Sequence, residues 1–323
     1  MMNNGNSITR IDLDAPQSRA ALAAEQRLFA HYGLEPKNHF VEMESPSLRL
    51  RILEVGEGPT IVMVPGGAGD AWPYAPLMAE LSGWRMIVVN RPGSGLSDGI
   101  DHREVDVRQL AVETLRSVAD AFDLGRAPIV SNSMGGLWSF WYALEYPKRV
   151  STMVQMGCPA LALDTSAPFF MRLLGVPGIN GLIAPFMQPR DIDSALEGMT
   201  TQGSTREDIE RQPEQIAEAA YYFWNLPTYL DTWKTLVASV ATPTGAKARY
   251  RLGADQLSRV QQPVQFIWGP RDPFGDLGVA RQAAESVPDA RLHELPTGHL
   301  PFLDQPQETG RVVREFLSQN GDR

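Results

Sequence analysis

The run Ile129-Val130-Ser131-Asn132-Ser133-Met134-Gly135-Gly136 constrains this chain more than any other stretch. A β-branched, apolar segment ends at a serine, glycines follow, and a helical segment is expected over 137–146. A strand that turns this sharply into a helix holds the serine between them in a strained backbone conformation. Its hydroxyl then stands over the sheet edge, with the helix N-terminus pointing at whatever binds there. The pattern is G-x-S-x-G with Ser131 in place of the first glycine. That position needs a small side chain because strand and helix pass close together, and serine keeps to that size.

A nucleophilic serine needs a base and an acid to orient it, and chain order offers both. Residues 264–268 read as a buried strand that runs into Gly269-Pro270-Arg271-Asp272-Pro273, a turn presenting Asp272 at the strand's C-terminal end. Residues 290–295 alternate like a strand and lead into Pro296-Thr297-Gly298-His299. An amphipathic helix carrying Val312, Val313 and Phe316 comes next. Ser133, Asp272 and His299 thus each follow a predicted strand, in the order Ser, Asp, His.

On these motifs the chain resembles the serine-nucleophile branch of the α/β-hydrolase-fold superfamily, over a span from Arg49 to Leu317. The resemblance implies a mostly parallel eight-stranded sheet flanked by helices, with a helical cap inserted between the sixth and seventh strands. Two further segments carry it. Residues 60–64 form a predicted strand ending in Pro65-Gly66-Gly67-Ala68-Gly69, where relatives often have His-Gly-Gly-x-Gly; Pro65 stands at the histidine position. By this resemblance the backbone N–H groups of Gly67 and Met134 form the oxyanion hole. Asn90 to Asp98 resembles the turn after the fourth strand, where Arg91 is expected to tie loops together at the rim. Substrate contacts are expected from Gly66, Asn132, Cys158, Trp224 and Leu300.

The organisation expected is an N-terminal extension with one helix (1–35), an α/β core (36–158 and 259–323) and a cap (159–258). Residues 1–15 are expected to be disordered, and 20–32 to form a helix packed on the body. Antiparallel strands are expected at 40–43 and 48–55. Strand and helix then alternate to residue 156, which predicts a sheet covered on both faces. Past Pro159 that rhythm stops. Helical pieces are broken by Gly175, Pro177, Pro189, Pro227 and Pro243, and large apolar groups such as Phe169, Phe186, Met187, Trp224 and Trp233 accumulate. Most should form the cap's own core, and some should face Ser133 as an apolar pocket.

Composition bounds the rest. The 323 residues suit one domain with a large insertion, and 43% hydrophobic residues suffice for a core. A net charge of −9 leaves no basic stripe for nucleic acid. The single Cys158 excludes an internal disulfide framework, and no histidine has partners at metal-ligand spacing. No apolar leader and no membrane-length apolar run is present, so a cytoplasmic location is expected. No cofactor is called for; the partner expected is a small-molecule substrate, with the chain a monomer or homodimer.

The chemistry expected is acyl transfer. A histidine, with an ordinary pKa of about 6.5, takes the serine proton, and the aspartate holds its tautomer. The favoured substrate is a small apolar ester or lactone. Asn132-Ser133-Met134-Gly135-Gly136 and Ala143-Leu144-Glu145-Tyr146-Pro147 also look much like the meta-cleavage-product hydrolases, which cut a carbon–carbon bond with the same triad. Those enzymes commonly have Trp after the catalytic His, where this chain has Leu300; Arg172 and Arg190 are the candidates for their cap arginine. Amide cleavage of the aminopeptidase kind and a non-catalytic binding role on the same fold are the remaining alternatives.

Overall fold

The computed structural model describes residues 8–67, 69–176, 178–183, 186 and 188–320. Ala68, Pro177 and Met187, named above, lie outside the described residues. The sheet has eight strands: β1 (Lys37–Glu44), β2 (Ser47–Val55), β3 (Thr60–Val64), β4 (Arg85–Val89), β5 (Ala127–Asn132), β6 (Val150–Met156), β7 (Val264–Trp268) and β8 (Ala290–Glu294). Their spatial order is β8-β7-β6-β5-β3-β4-β2-β1. The β1–β2 and β2–β4 pairings are antiparallel and the remainder parallel.

The strand sequences explain these positions. Every residue of β6 and β7 is buried, as expected of central strands covered on both sides. β1 lies at an edge and alternates, with Val41 and Met43 inward and Glu42 and Glu44 outward. In β3 and β4, Val62, Val64, Ile87 and Val89 face one core layer, and Ile61, Met63, Met86 and Val88 face the other.

The longer helices are α1 (Pro16–His31), α2 (Ala75–Glu80), α3 (Val107–Ala121), α4 (Ser133–Glu145), α5 (Glu214–Trp224), α6 (Tyr229–Val240), α7 (Leu277–Ser286) and α8 (Pro306–Asn320). α3, α4 and α7 bury their apolar stripes in the first layer, and α1, α2 and α8 in the second. Caps fix two starts: Asp106 accepts from the Gln109 N–H at 2.9 Å and Asp276 from the Val279 N–H at 3.0 Å. Between β6 and β7 the chain forms short turns together with α5 and α6, and the small hairpin Ala241–Thr242 with Gly245–Ala246. Among the described residues no helix is long and apolar enough to cross a membrane.

Two expectations are corrected. Residues 8–15 are ordered, although 1–7 lie outside the described residues. Ile8–Thr9 pairs with Gly99–Ile100. Behind it the buried Asp98 carboxylate accepts from the Ile11 N–H (3.0 Å), the Arg49 N–H (2.8 Å) and the Arg10 guanidinium (2.6 Å). A buried charge must collect donors, and here two of the three come from the terminal segment and tie it to β2, which supplies the third. The second correction is that α4 begins at Ser133, ahead of the expected 137. Its glycines are therefore inside the first turn, where a Cβ on Gly135 would lie 2.6 Å from the Pro65 carbonyl oxygen.

The N-terminal helix packs on the body, as the sequence led one to expect. Leu28 and Phe29 are buried, and Glu25 forms a buried, bidentate ion pair with Arg51 of β2. Arg27 reaches Glu218 of α5 at 2.9 Å, so α1 also abuts the segment inserted after β6.

Candidate active site

β3 is followed by β4 on one side of it in the sheet and by β5 on the other. In open parallel sheets the crevice at such a reversal, beyond the strands' C-terminal ends, is where ligands bind. The loop after β3 (residues 65–70) and the turn after β5 meet there. Ser133 has φ +51°, a left-handed conformation that costs a side-chain-bearing residue about 1–3 kcal/mol. It is 8% exposed and opens α4, so its hydroxyl lies at that helix's positive end. Gly66 passes against it: a Cβ there would lie 2.7 Å from both Ser133 Cβ and the Asn132 carbonyl oxygen.

The turns after β7 and β8 bring Asp272 and His299 together. His299 Nδ1 and Asp272 Oδ2 are 2.8 Å apart, with the residues 2% and 5% exposed. The carboxylate is fully engaged: Oδ2 also accepts from the Cys158 N–H at 2.7 Å, and Oδ1 from the Phe274 N–H at 2.9 Å. His299 is held at its backbone as well. Its N–H donates to the Gln202 carbonyl at 2.7 Å, and its carbonyl accepts from Asn132 Nδ2 at 3.0 Å. The far nitrogen, Nε2, is buried and has no hydrogen-bond partner among the described residues. Ser133 and His299 line the same cavity.

Arg91 braces the loop after β3. Nε donates to the Pro65 carbonyl at 3.1 Å, Nη2 to the Gly67 carbonyl, and the guanidinium lies over the Trp138 ring at 4.9 Å. Burial pulls its pKa down to about 10, against the attraction of Asp70 and Tyr74. Gly67 has φ +49°, and the Gly66 carbonyl on the far side of its peptide accepts from the Gly69 N–H at 2.7 Å. The Gly67 and Met134 N–H groups have no acceptor among the described residues, and both residues line the cavity.

The cavity holds about 240 Å³ and is mostly apolar. Trp72, Tyr74, Trp224, Tyr229, Trp233 and Phe274 contribute aromatic walls, and no Lys or Arg side chain is among the described residues that line it. Gly66, Asn132, Trp224 and Leu300 lie on its wall. Asn132, however, spends its amide on the Met156 and His299 carbonyls. Cys158 does not line the cavity. Its side chain is wholly buried behind the site, with burial pushing the thiol up, and its contribution is the backbone N–H given to Asp272. Arg172 lies against Phe169, and neither Arg172 nor Arg190 reaches the wall.

Other carboxylates and histidines resolve into structure. Asp276, four residues past Asp272, caps α7. Asp304 accepts from the Gly298 N–H (2.8 Å) and the Ser204 hydroxyl (2.6 Å), and so anchors the turn that carries His299. His39 pairs with Glu54, His102 with Thr235, and His293 sits 3.6 Å from Glu308. Among the described residues no three His, Cys, Asp or Glu side chains converge as a metal site.

Two supporting residues escaped the sequence reading. Gln155, wholly buried in β6, accepts from the Ser131 hydroxyl at 3.0 Å and donates to the Gly157 carbonyl at 2.9 Å. It fills the space beneath Gly136, where a Cβ would meet its amide. Gly157 has φ +65°, and a Cβ there would lie 2.9 Å from His299 Nδ1. A glutamine near the end of a predicted central strand was the available signal for the first, and the strand-ending glycine for the second.

Comparison with known proteins agrees with this architecture. The family model described as "alpha/beta hydrolase fold" matches residues 59–306. A 2-hydroxy-6-oxo-6-phenylhexa-2,4-dienoate hydrolase of Burkholderia cepacia is 24% identical, over 84% of this chain and 92% of that protein. A pimeloyl-[acyl-carrier protein] methyl ester esterase of Chromobacterium violaceum is 28% identical, over 84% of this chain and 98% of that protein. Among solved structures, a carboxylesterase from Bacillus subtilis superposes with a TM-score of 0.71 at 20% identity, covering 94% of this chain and 99% of that one.

Proposed function

The chain belongs to the α/β-hydrolase-fold family, and from that premise we propose that it is a serine hydrolase acting on a small, largely apolar carboxylic ester or lactone. One observation carries the reading. His299 is held through Nδ1 by Asp272 while its buried Nε2 has no partner among the described residues, in the cavity that Ser133 also lines. That is the nitrogen a serine proton needs.

In this reading Ser133 Oγ attacks the substrate carbonyl carbon and its proton passes to His299 Nε2. Asp272 stabilises the imidazolium that forms. The Gly67 and Met134 N–H groups, on the cavity wall beside Ser133, receive the oxyanion. Collapse breaks the bond to the alcohol oxygen, which leaves with the proton from His299. Water then repeats the attack on the acyl-serine, giving up its proton to His299, and releases the acid. Residues 159–258 act as a cap whose aromatic groups roof the cavity.

Carbon–carbon cleavage of the meta-cleavage type is the second reading, favoured by the names of several relatives. A dienoate is an anion, and a cavity wall without Lys or Arg among its described residues offers it no counter-charge. This supports the ester reading over it. Nitrophenyl esters of graded acyl length, assayed beside Ser133→Ala, test the choice. Turnover of short and medium esters that disappears in the variant is expected. A folded wild type that ignores every ester but cleaves a ring-cleavage diketone would overturn the ester reading.

A further inference from the structure

The cavity wall carries a second polar centre that the triad does not use. Asp70, on the loop after β3, is 2% exposed and lines the cavity, yet neither carboxylate oxygen has a hydrogen-bond partner among the described residues. Trp72 and Tyr229 both lie near enough to interact with it, and Trp224 touches both of those rings. Trp72 follows two residues later; its buried indole N–H has no other acceptor among the described residues and favours the ionised form of Asp70. The Trp72 ring meets Trp224 edge-on at 5.9 Å, and Trp224 stacks on Tyr229 at 6.3 Å. Asp70 closes the group electrostatically, because its charge joins burial in pushing the Tyr229 hydroxyl up.

An unpaired buried carboxylate is costly, and a ligand that neutralises it recovers that cost. Trp and Tyr faces attract cations through their quadrupoles, and a carboxylate within an aromatic box is the arrangement that holds ammonium groups. Among the described residues no charged side chain reaches the carboxylate directly, and the charges around it act at longer range. Arg91 and Arg51 favour its ionised form, Glu25 opposes it, and Arg91 is already committed to the Pro65 and Gly67 carbonyls. Burial dominates, and the carboxyl is pushed up to about 7.

We propose that Asp70, boxed by Trp72, Trp224 and Tyr229, is a specificity subsite for an alkylammonium group on the substrate. This inference rests on the hydrolase reading for its meaning but not for its test. Binding is measured in the Ser133→Ala protein, where turnover plays no part, by calorimetry and tryptophan quenching at pH 8. The probes are phenyltrimethylammonium and its neutral isostere tert-butylbenzene.

The expected result is that the cation binds about tenfold tighter or more than the isostere. In Ser133→Ala/Asp70→Asn that ratio falls to about two or less. Trp224→Leu, which keeps the carboxylate, lowers the ratio about threefold and serves if the Asp70 variant does not fold. Equal binding of the two probes, or a ratio that Asp70→Asn leaves unchanged, would overturn the proposal and leave Asp70 a carboxyl satisfied by water or by a neutral hydroxyl. Neither outcome depends on whether Ser133 is a nucleophile.

Discussion

Asn132 Nδ2 donates to the His299 carbonyl at 3.0 Å, so the residue before the candidate nucleophile holds the backbone of the candidate base. The same amide donates to the Met156 carbonyl at 2.7 Å. Asn132→Ala removes both bonds; the Met156 carbonyl keeps the Gln155 amide at 3.1 Å, but the His299 carbonyl loses this donor, which should cost about 1–3 kcal/mol of stability and free the His299 turn. Urea unfolding should register the first effect. Steady-state kinetics should register the second as a fall in kcat of about tenfold or more with little change in KM. An unchanged kcat would mean that the turn holds its place without this link.

Gly66 and Gly157 are tested by alanine. At Gly66 a methyl group would press on Ser133 Cβ and the Asn132 carbonyl, both 2.7 Å away. At Gly157 it would reach the His299 carbonyl at 2.7 Å and His299 Nδ1 at 2.9 Å, at a φ of +65° that only glycine takes freely. Either substitution should cut kcat/KM by about a hundredfold or more. Gly33→Ala is the control. It also has positive φ (+67°), but nothing lies within 4 Å of its added carbon, so it should lose about 1 kcal/mol of stability with activity retained.

The legible part of this protein was its central scaffold. β6 and β7 were readable to the residue because short stretches rich in β-branched and large apolar residues, bounded by turn residues, have few alternatives in a parallel sheet. Asp272 and His299 were readable because each sits just past a strand, where this topology places functional loops. Side-chain direction was not readable. Nothing in the local pattern separates Cys158, which faces away from the cavity, from Trp224, which faces it. Long-range polar pairings were equally hidden. That Asp98 ties down Arg10 and Ile11, that Asp304 anchors the His299 turn, and that Asp70 is buried in the cavity wall all depend on segments brought together by the fold.

Asp70 should leave a signature in stability against pH. Unfolded, its carboxyl titrates near the ordinary 3.8; folded, burial raises it to about 7. Between those values the native state keeps a proton that the unfolded chain has lost. Stability therefore falls as pH rises through that window, by on the order of 4 kcal/mol. Asp70→Asn removes this decline, so the variant should gain on wild type steadily from pH 4 to pH 8 in urea unfolding. A difference that stays flat over that range would show the carboxyl to be satisfied in the fold.

Arg91→Lys keeps the charge and removes the fork. One ammonium cannot hold the Pro65 and Gly67 carbonyls as the guanidinium does. The Gly67 N–H should then lose its aim, lowering kcat about tenfold or more, with the fold retained by circular dichroism. Full activity in this variant would remove Arg91 from any part in shaping the oxyanion site.

The central claim is that Ser133 carries the acyl group. Intact-protein mass spectrometry of samples acid-quenched during nitrophenyl-ester turnover tests it directly. An added mass equal to the acyl group, mapped to the peptide containing Ser133 and missing in Ser133→Ala, is the predicted result. Steady turnover with no adduct in wild type, or turnover that survives in Ser133→Ala, would contradict it.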